Sequence, residues 1–398
     1  MATIETSKDY RFPLLHLGFR LFFLLGTVFS VLAISAWFWF YYQGTQFLDN
    51  GTFPIILWHA HEMVFGYSMA VAVGFLLTAV KNWTGHQTLR GYGLLLLGLS
   101  WLIARIMPFT DLPGALIIMA LLDLLFDITA CVALLYPIVR AKQWKQLGIW
   151  SMLLLMTTSN AFFYIGLIWR HPELTRIGLF SGLYLIIALI MLMGQRIIPF
   201  FIEKGVGYPV VLGVRPWVNV SSMILMMVFI VAVVWDPISI ITVFVAIALA
   251  ILQVLQMVGW YTPGIWRKPL LWSIYLAYGW IFIGFTMTAL IHWIPINPML
   301  GIHSFAYGGV GMMTIGMMAR VSLGHTGRNI FTPPAALNWM FSSLLLGAIV
   351  RVLIPIIAPM QYRMWIEVSQ VLWIIAFVAF VVVYAPMLIK PRIDGRYG

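Results

Sequence analysis

Charge is scarce in this sequence: Asp, Glu, Lys and Arg together make up 9% of its 398 residues, while hydrophobic residues make up 62%. Soluble domains carry roughly a quarter charged residues, and a water-soluble core has no way to hide this much apolar surface, which excludes a soluble enzyme or binding module. Cysteine is nearly absent. The single one, Cys131, lies inside an apolar run, which excludes a disulfide framework, covalent heme attachment through C-x-x-C-H and a thiolate metal cluster. Any metal must then be held by His, Met or carboxylate. The phosphate-binding glycine loop, the dinucleotide fingerprint and a spacing that supports a Ser-His-Asp triad are also missing. Loops are short and punctuated by Pro and Gly, as at Asp236-Pro237, Thr262-Pro263-Gly264 and Thr332-Pro333-Pro334, so no soluble domain is hidden between apolar runs.

Those runs recur along the whole chain, each close to the roughly 20 residues that cross a bilayer as a helix. They fall near 19–42, 57–80, 91–108, 114–139, 147–169, 176–200, 217–235, 237–260, 270–293, 299–320, 333–355 and 363–388. The expectation is an all-α integral membrane protein, a single domain over 1–398 with about twelve transmembrane helices in one bundle. The stretch from Arg196 to Trp217, rich in Pro and Gly, divides it into halves 1–204 and 205–398. Helices two, six and ten end in loosely similar segments (Leu76 to Lys81, Met193 to Arg196, Met317 to Arg320), a weak hint of a threefold repeat.

The net charge of +11 follows topology. With the N-terminus in the cytoplasm, all of the 23 Lys and Arg residues fall on the cytoplasmic side except Arg105, Arg170, Arg176, Arg351 and Arg363. Such asymmetry orients membrane helices, and it predicts an even number of spans with both termini cytoplasmic rather than a nucleic-acid-binding surface. The polar opening segment with Glu5, Lys8, Asp9 and Arg11 precedes an apolar run too long for a signal-peptide core, so the first helix is expected to be retained.

Ionisable residues inside a bilayer are costly, which makes them the functional candidates. The densest cluster is Trp58-His59-Ala60-His61-Glu62-Met63 at the outer end of helix two. A regular helix turns about 100° per residue, so His59 and His61 project about 200° apart and cannot share one metal. Glu62, three residues after His59, shares its face and is placed to orient the imidazole or deliver a proton. An interfacial cap favourable to the helix dipole is the ordinary alternative. The second cluster runs from Gly301 to Gly311 on helix ten and contains His303, with Tyr307 on the same face at i+4 and a smooth stripe of Ser304, Gly308 and Gly311. His303 is expected at the depth of His59 and His61, as two axial heme ligands require.

Met312, Met313, Met317 and Met318 follow, more often filler than copper ligands. His325 lies 22 residues beyond His303, roughly 33 Å along a continuous helix, and so belongs to the opposite membrane face. Arg320 and Arg328 beside it suit propionates or another anion, or form an ordinary basic loop. Asp123 and Asp127 share one face of helix four near the midplane, where two carboxylates do not both stay charged without partners. A proton path is one reading of them, and a static pair with Arg105, or a shared proton satisfying helix contacts, is the other.

Several segments together resemble the NnrS family of bacterial membrane proteins: Gly18 to Leu24, Trp58 to Gly66, Gly74 to Val80 with Asn82-Trp83-Thr84-Gly85, Ile197 to Phe201, and Gly316 to Arg328. The resemblance implies a heme- and copper-containing inner-membrane protein associated with nitric oxide defence and denitrification. His59, His61, His303 and His325 match the family's motif histidines and Arg20 its motif arginine, which makes the histidines the candidate heme or metal ligands; the residues themselves suggest Glu62, Tyr307, Asp123 and Asp127 for proton transfer or support and Arg20, Arg320 and Arg328 for anions. His16, His86, His171 and His292 do not match the family's motif histidines, and Leu21 stands where the family pattern has Pro. A looser likeness joins the chain to the heme-copper oxidase core subunit, but helices six to eight contain no histidine, so the three-His copper site of those enzymes is missing. The leading expectation is a protein of heme b and copper that binds nitric oxide, with its reduction by quinol left open. A six-plus-six secondary transporter and a non-catalytic heme or copper sensor are the alternatives.

Overall fold

Lipid offers no hydrogen bonds, so a chain of apolar runs must satisfy its backbone internally, and coils into helices. The computed structural model describes residues 12–43 and 54–398; Lys8 and Arg11, two of the basic residues expected on the cytoplasmic side, lie outside them. The helices are α1 (Gly18–Gln43), α2 (Ile55–Thr84), α3 (Gly91–Phe109), α4 (Ala115–Arg140), α5 (Trp144–Ile168), α6 (Pro172–Gly205), α7 (Pro216–Trp235), α8 (Ile240–Trp260), α9 (Pro269–Ala289), α10 (298–325), α11 (Ala336–Ile357) and α12 (Pro359–Ile389). All of these but α10, eleven in the described residues, are long and apolar enough to cross a membrane as they stand. Helix α10 runs as three consecutive helical pieces, Pro298–His303, Ser304–Gly311 and Met312–His325. The chain is a multi-pass membrane protein of the expected helix number, in contact with lipid.

Proline opens α6, α7, α9 and α10, where its missing N–H is not needed and its fixed φ suits a first turn. Helix α2 closes on Gly85 at φ 70°, whose N–H donates to the Lys81 carbonyl at 2.9 Å. Gly327 turns the chain at φ 78° after α10. Both follow a threonine, Thr84 and Thr326, and both adopt the left-handed backbone that favours glycine.

Three helices contain π-helical turns, which hold one residue more than the α form and cluster at functional sites. In α2 the π segment is Glu62–Ser68, directly after His61; in α10 it is Ser304–Gly311, directly after His303; in α11 it is Ile349–Leu353, around Arg351. The first is held from outside the helix ladder: the Ser68 hydroxyl donates to the Met63 carbonyl at 2.6 Å and the Trp101 indole N–H to the Gly66 carbonyl at 3.0 Å. Trp101→Phe keeps most of the buried ring and removes one of two donors to that carbonyl, the other being the Met69 backbone N–H, so we expect a loss of about 0.5–1.5 kcal/mol. Thermal unfolding of the detergent-purified protein reads it, and an unchanged midpoint would mean the indole does not support the turn.

Contacts divide the chain into two compact units. The first comprises Met1–Gly182, Met318–Pro333 and Phe377–Gly398. Within it α1 packs along α2, while α4 packs against α2, α3 and α5. Fully buried Arg20, in the first turn of α1, donates to the backbone oxygens of Met387, Leu388, Lys390 and Gly398 at 2.5–3.2 Å, placing a cation on the carbonyl end of α12. The second unit comprises Leu183–Met317 and Pro334–Ala376. There α7, α8 and α9 pack in succession and α9 lies against the π segment of α10, with the Trp280 ring where a Cβ on Gly308 would stand.

Candidate functional site

In the first unit, four helices bring polar side chains to one dry point. Helix α2 supplies His61 and Glu62, α3 supplies Arg105, α4 supplies Asp123 and Asp127, and α5 supplies Asn160 and Tyr164, all buried. The Arg105 guanidinium bridges two carboxylates, with Nη1 3.0 Å from Glu62 Oε2 and Nη2 2.5 Å from Asp123 Oδ1. Tyr164 donates to Asp123 Oδ2 at 2.9 Å. The Asn160 amide nitrogen donates to Asp127 Oδ2 at 2.9 Å and Asp123 Oδ2 at 3.3 Å.

That orientation turns the Asn160 amide oxygen toward His61 Nε2, 3.0 Å away, while His61 Nδ1 lies 3.1 Å from Glu62 Oε1. Both ring nitrogens of His61 thus lie within hydrogen-bond reach of an oxygen atom. Asp127 meets the network through the Asn160 amide at its Oδ2. Its Oδ1 has no hydrogen-bond partner. Gly66 in the π segment makes room for the bridge, because a Cβ there would stand 2.6 Å from Arg105 Nη1 and 2.7 Å from Glu62 Oε2.

His59 joins none of this; its ring stacks on Trp37 of α1 at 4.5 Å and 5°. The two histidines face different partners, as helical spacing requires. Glu62, expected to orient the His59 imidazole, pairs with His61 and Arg105 instead. Asp123 meets Arg105, the partner expected for it.

In the second unit, His303 Nδ1 lies 2.8 Å from the carbonyl oxygen of Met299, four residues earlier in α10, and so donates to it. Arg351 Nη2 stands 3.2 Å from each ring nitrogen of His303. Nη1 donates to the Tyr362 hydroxyl at 3.3 Å, and the guanidinium carbon lies 5.6 Å from the centre of the Tyr362 ring. Tyr307 donates to the Ser369 carbonyl at 2.8 Å and meets Trp373 edge-on, away from His303.

Among the remaining candidates, His325 is half-buried beside Phe19, ring centres 5.5 Å apart, and its carbonyl accepts from Arg392 at 2.8 Å. Arg320 is buried and Arg328 half-buried, with Nη1 of Arg328 lacking a hydrogen-bond partner. Arg20 is committed to backbone oxygens. Among the described residues, no group of three or more His, Cys, Asp and Glu is placed to hold a metal ion.

Sequence reasoning did not find Asn160 or Tyr164, which sit in an ordinary apolar run, nor Arg351. The last did carry a signal, as a basic residue on the wrong side of the charge asymmetry. No curated protein matches the chain. The family model described as NnrS protein matches residues 13–392, nearly the whole length, and with the motif segments falling on the π-turned helices α2 and α10, the chain belongs to the NnrS family.

Proposed function

We propose that this chain is a heme- and copper-binding protein of the bacterial inner membrane, both termini cytoplasmic, that binds nitric oxide and takes part in its reduction or removal. The observation that carries the reading is His303. An imidazole whose Nδ1–H is tied to a backbone carbonyl is fixed in the tautomer that presents Nε2 as an electron pair, the usual preparation of a histidine ligand, and the Met299 carbonyl does this for His303. His303 would hold the iron, which when bound supplies the position where nitric oxide attaches.

His61 fits that task poorly, since both its nitrogens meet oxygen atoms, whereas the group against His303 Nε2 is the Arg351 guanidinium, a donor that faces an electron pair. Its place is in the network, where His61, Glu62, Asp123, Asp127 and Tyr164 would relay the protons that a reduction consumes. His59 and His325, half-buried imidazoles, are the proposed further ligands. Copper is supported by the family resemblance alone, as the described residues offer it no three-ligand cluster. Quinol, dissolved in the same bilayer, is the proposed electron donor.

The test is optical. Protein purified in detergent from cells supplied with heme should show a Soret band that shifts on adding nitric oxide, and His303→Ala should lose the band while the protein stays monodisperse. Absence of any heme band in the parent protein would end the proposal. A shift without turnover on a quinol analogue would make the chain a sensor.

A further inference from the structure

Arg351 is a buried cation that lacks a buried anion. It is 7% exposed, and among the described residues no Asp or Glu stands within salt-bridge distance of it. Its contacts are neutral groups, the hydroxyl and ring face of Tyr362 and the ring of His303.

The first unit shows what usually occupies such a place. One constant shift in numbering carries His61 onto His303, Gly66 onto Gly308, Gly74 onto Gly316 and Thr84-Gly85 onto Thr326-Gly327, and it lays one π segment over the other. In both units the helix after the histidine supplies an arginine, Arg105 from α3 and Arg351 from α11.

The acids are what differ. Glu62 maps onto Ser304, whose hydroxyl is spent on the Trp280 carbonyl at 2.8 Å. Helix α4 brings Asp123 to Arg105, whereas α12, the second helix after His303, offers Ser369 and Gln370 in its buried positions. Gln370 is buried with neither amide atom hydrogen-bonded. The histidine and arginine of the construction are kept, and the carboxylates that neutralise it are gone.

An unpaired guanidinium away from water is costly, and proteins meet that cost with a counter-charge. We infer that Arg351, with His303 and Tyr362, forms a binding site for a planar oxyanion, taken by the guanidinium fork. The oxyanion is either a small free ion, such as nitrite, nitrate or a simple carboxylate, or the carboxylate of a bound porphyrin. The inference comes from charge and geometry and stands whether or not nitric oxide is a ligand.

The test uses full-length protein in detergent, titrated with sodium nitrate and with sodium acetate at constant ionic strength made up with chloride, and followed by unfolding midpoint. Arg351→Lys keeps the charge without the fork, and Arg351→Gln removes both. For a free ion, the parent protein gains stability saturably, Arg351→Lys needs at least tenfold more anion, and Arg351→Gln does not respond while starting no less stable than the anion-free parent. For a porphyrin carboxylate, free anions have no effect and porphyrin per folded chain falls severalfold in Arg351→Lys and Arg351→Gln. Equal anion response in parent and Arg351→Lys overturns the site, and so does no response in any protein with porphyrin content unchanged. Neither result bears on whether nitric oxide shifts a Soret band, so the two proposals fail separately.

Discussion

Arg105→Met will leave little folded protein. The substitution keeps the side chain's bulk and removes the positive centre that Glu62 Oε2 and Asp123 Oδ1 both contact, so two carboxylates face each other in a junction sealed from water and lipid headgroups. Breaking a buried ion pair from one side costs about 3–5 kcal/mol, and here two pairs lose the same partner. A loss of that size is comparable with the whole margin of a typical domain, about 5–15 kcal/mol. Size-exclusion profiles of solubilised protein should show aggregate in place of the monodisperse peak. Adding Glu62→Gln and Asp123→Asn to Arg105→Met should restore part of the peak, because removing all the charges leaves none of them stranded. If Arg105→Met alone elutes and melts like the parent, the network does not clamp α2, α3 and α4 together.

Gly178→Ala is expected to be nearly as damaging, for a steric reason. Gly178 lies in α6, and a Cβ on it would run into the backbone N of Phe163 and the backbone O of Ser159 in α5. Backbone atoms cannot step aside as a rotamer does. The two helices would have to part, and the stretch of α5 that parts carries Asn160 and Tyr164, the groups that reach Asp123 and Asp127. Overpacking a core costs about 1–3 kcal/mol where side chains give way, so ~3 kcal/mol is the lower end here. Gly98→Ala is the control: its Cβ would meet the Leu21 side chain at 2.8 Å, a flexible end that can move. Thermal unfolding should place Gly98→Ala near the parent and Gly178→Ala far below it. Equal effects from the two would show that α5 and α6 are less tightly seated than their backbone approach implies.

The helices were legible because composition left the chain no other way to satisfy its backbone in lipid, and that argument needs only the apolar runs. The turns inside the helices were not. Nothing in Trp58 to Gly66 distinguishes an α from a π continuation by apolar pattern, and the partner expected for Glu62, His59, gives way to His61 and Arg105. Asp123 and Asp127 were visible as a costly pair, and Arg105 as one partner for them, because charges in lipid stand out against a neutral background. Asn160 did not stand out: an amide in an apolar run reads as ordinary helix packing until the structure shows three ionisable groups around it. The charge asymmetry held more than topology. Of its five exceptions, Arg176 and Arg363 pair with Glu173 and Glu367 near helix starts, and Arg170 lies in the turn before α6. Arg105 and Arg351 are the buried ones, each beside a motif histidine or its glutamate.

A π turn is a residue inserted into a helix without lengthening it by a full step. Residues on its two sides therefore need not keep one common phase. In α2 the insertion follows His61, so the phase that sets which side chains of Met69 to Thr84 meet α1 is independent of the phase that aims His61 and Glu62 at Arg105. Deleting one residue between Met63 and Tyr67 would reunite the two phases and rotate the histidine end by about 100° relative to the rest. The helix would still cross the membrane, with His61 and Glu62 swung off the arginine they were set to meet.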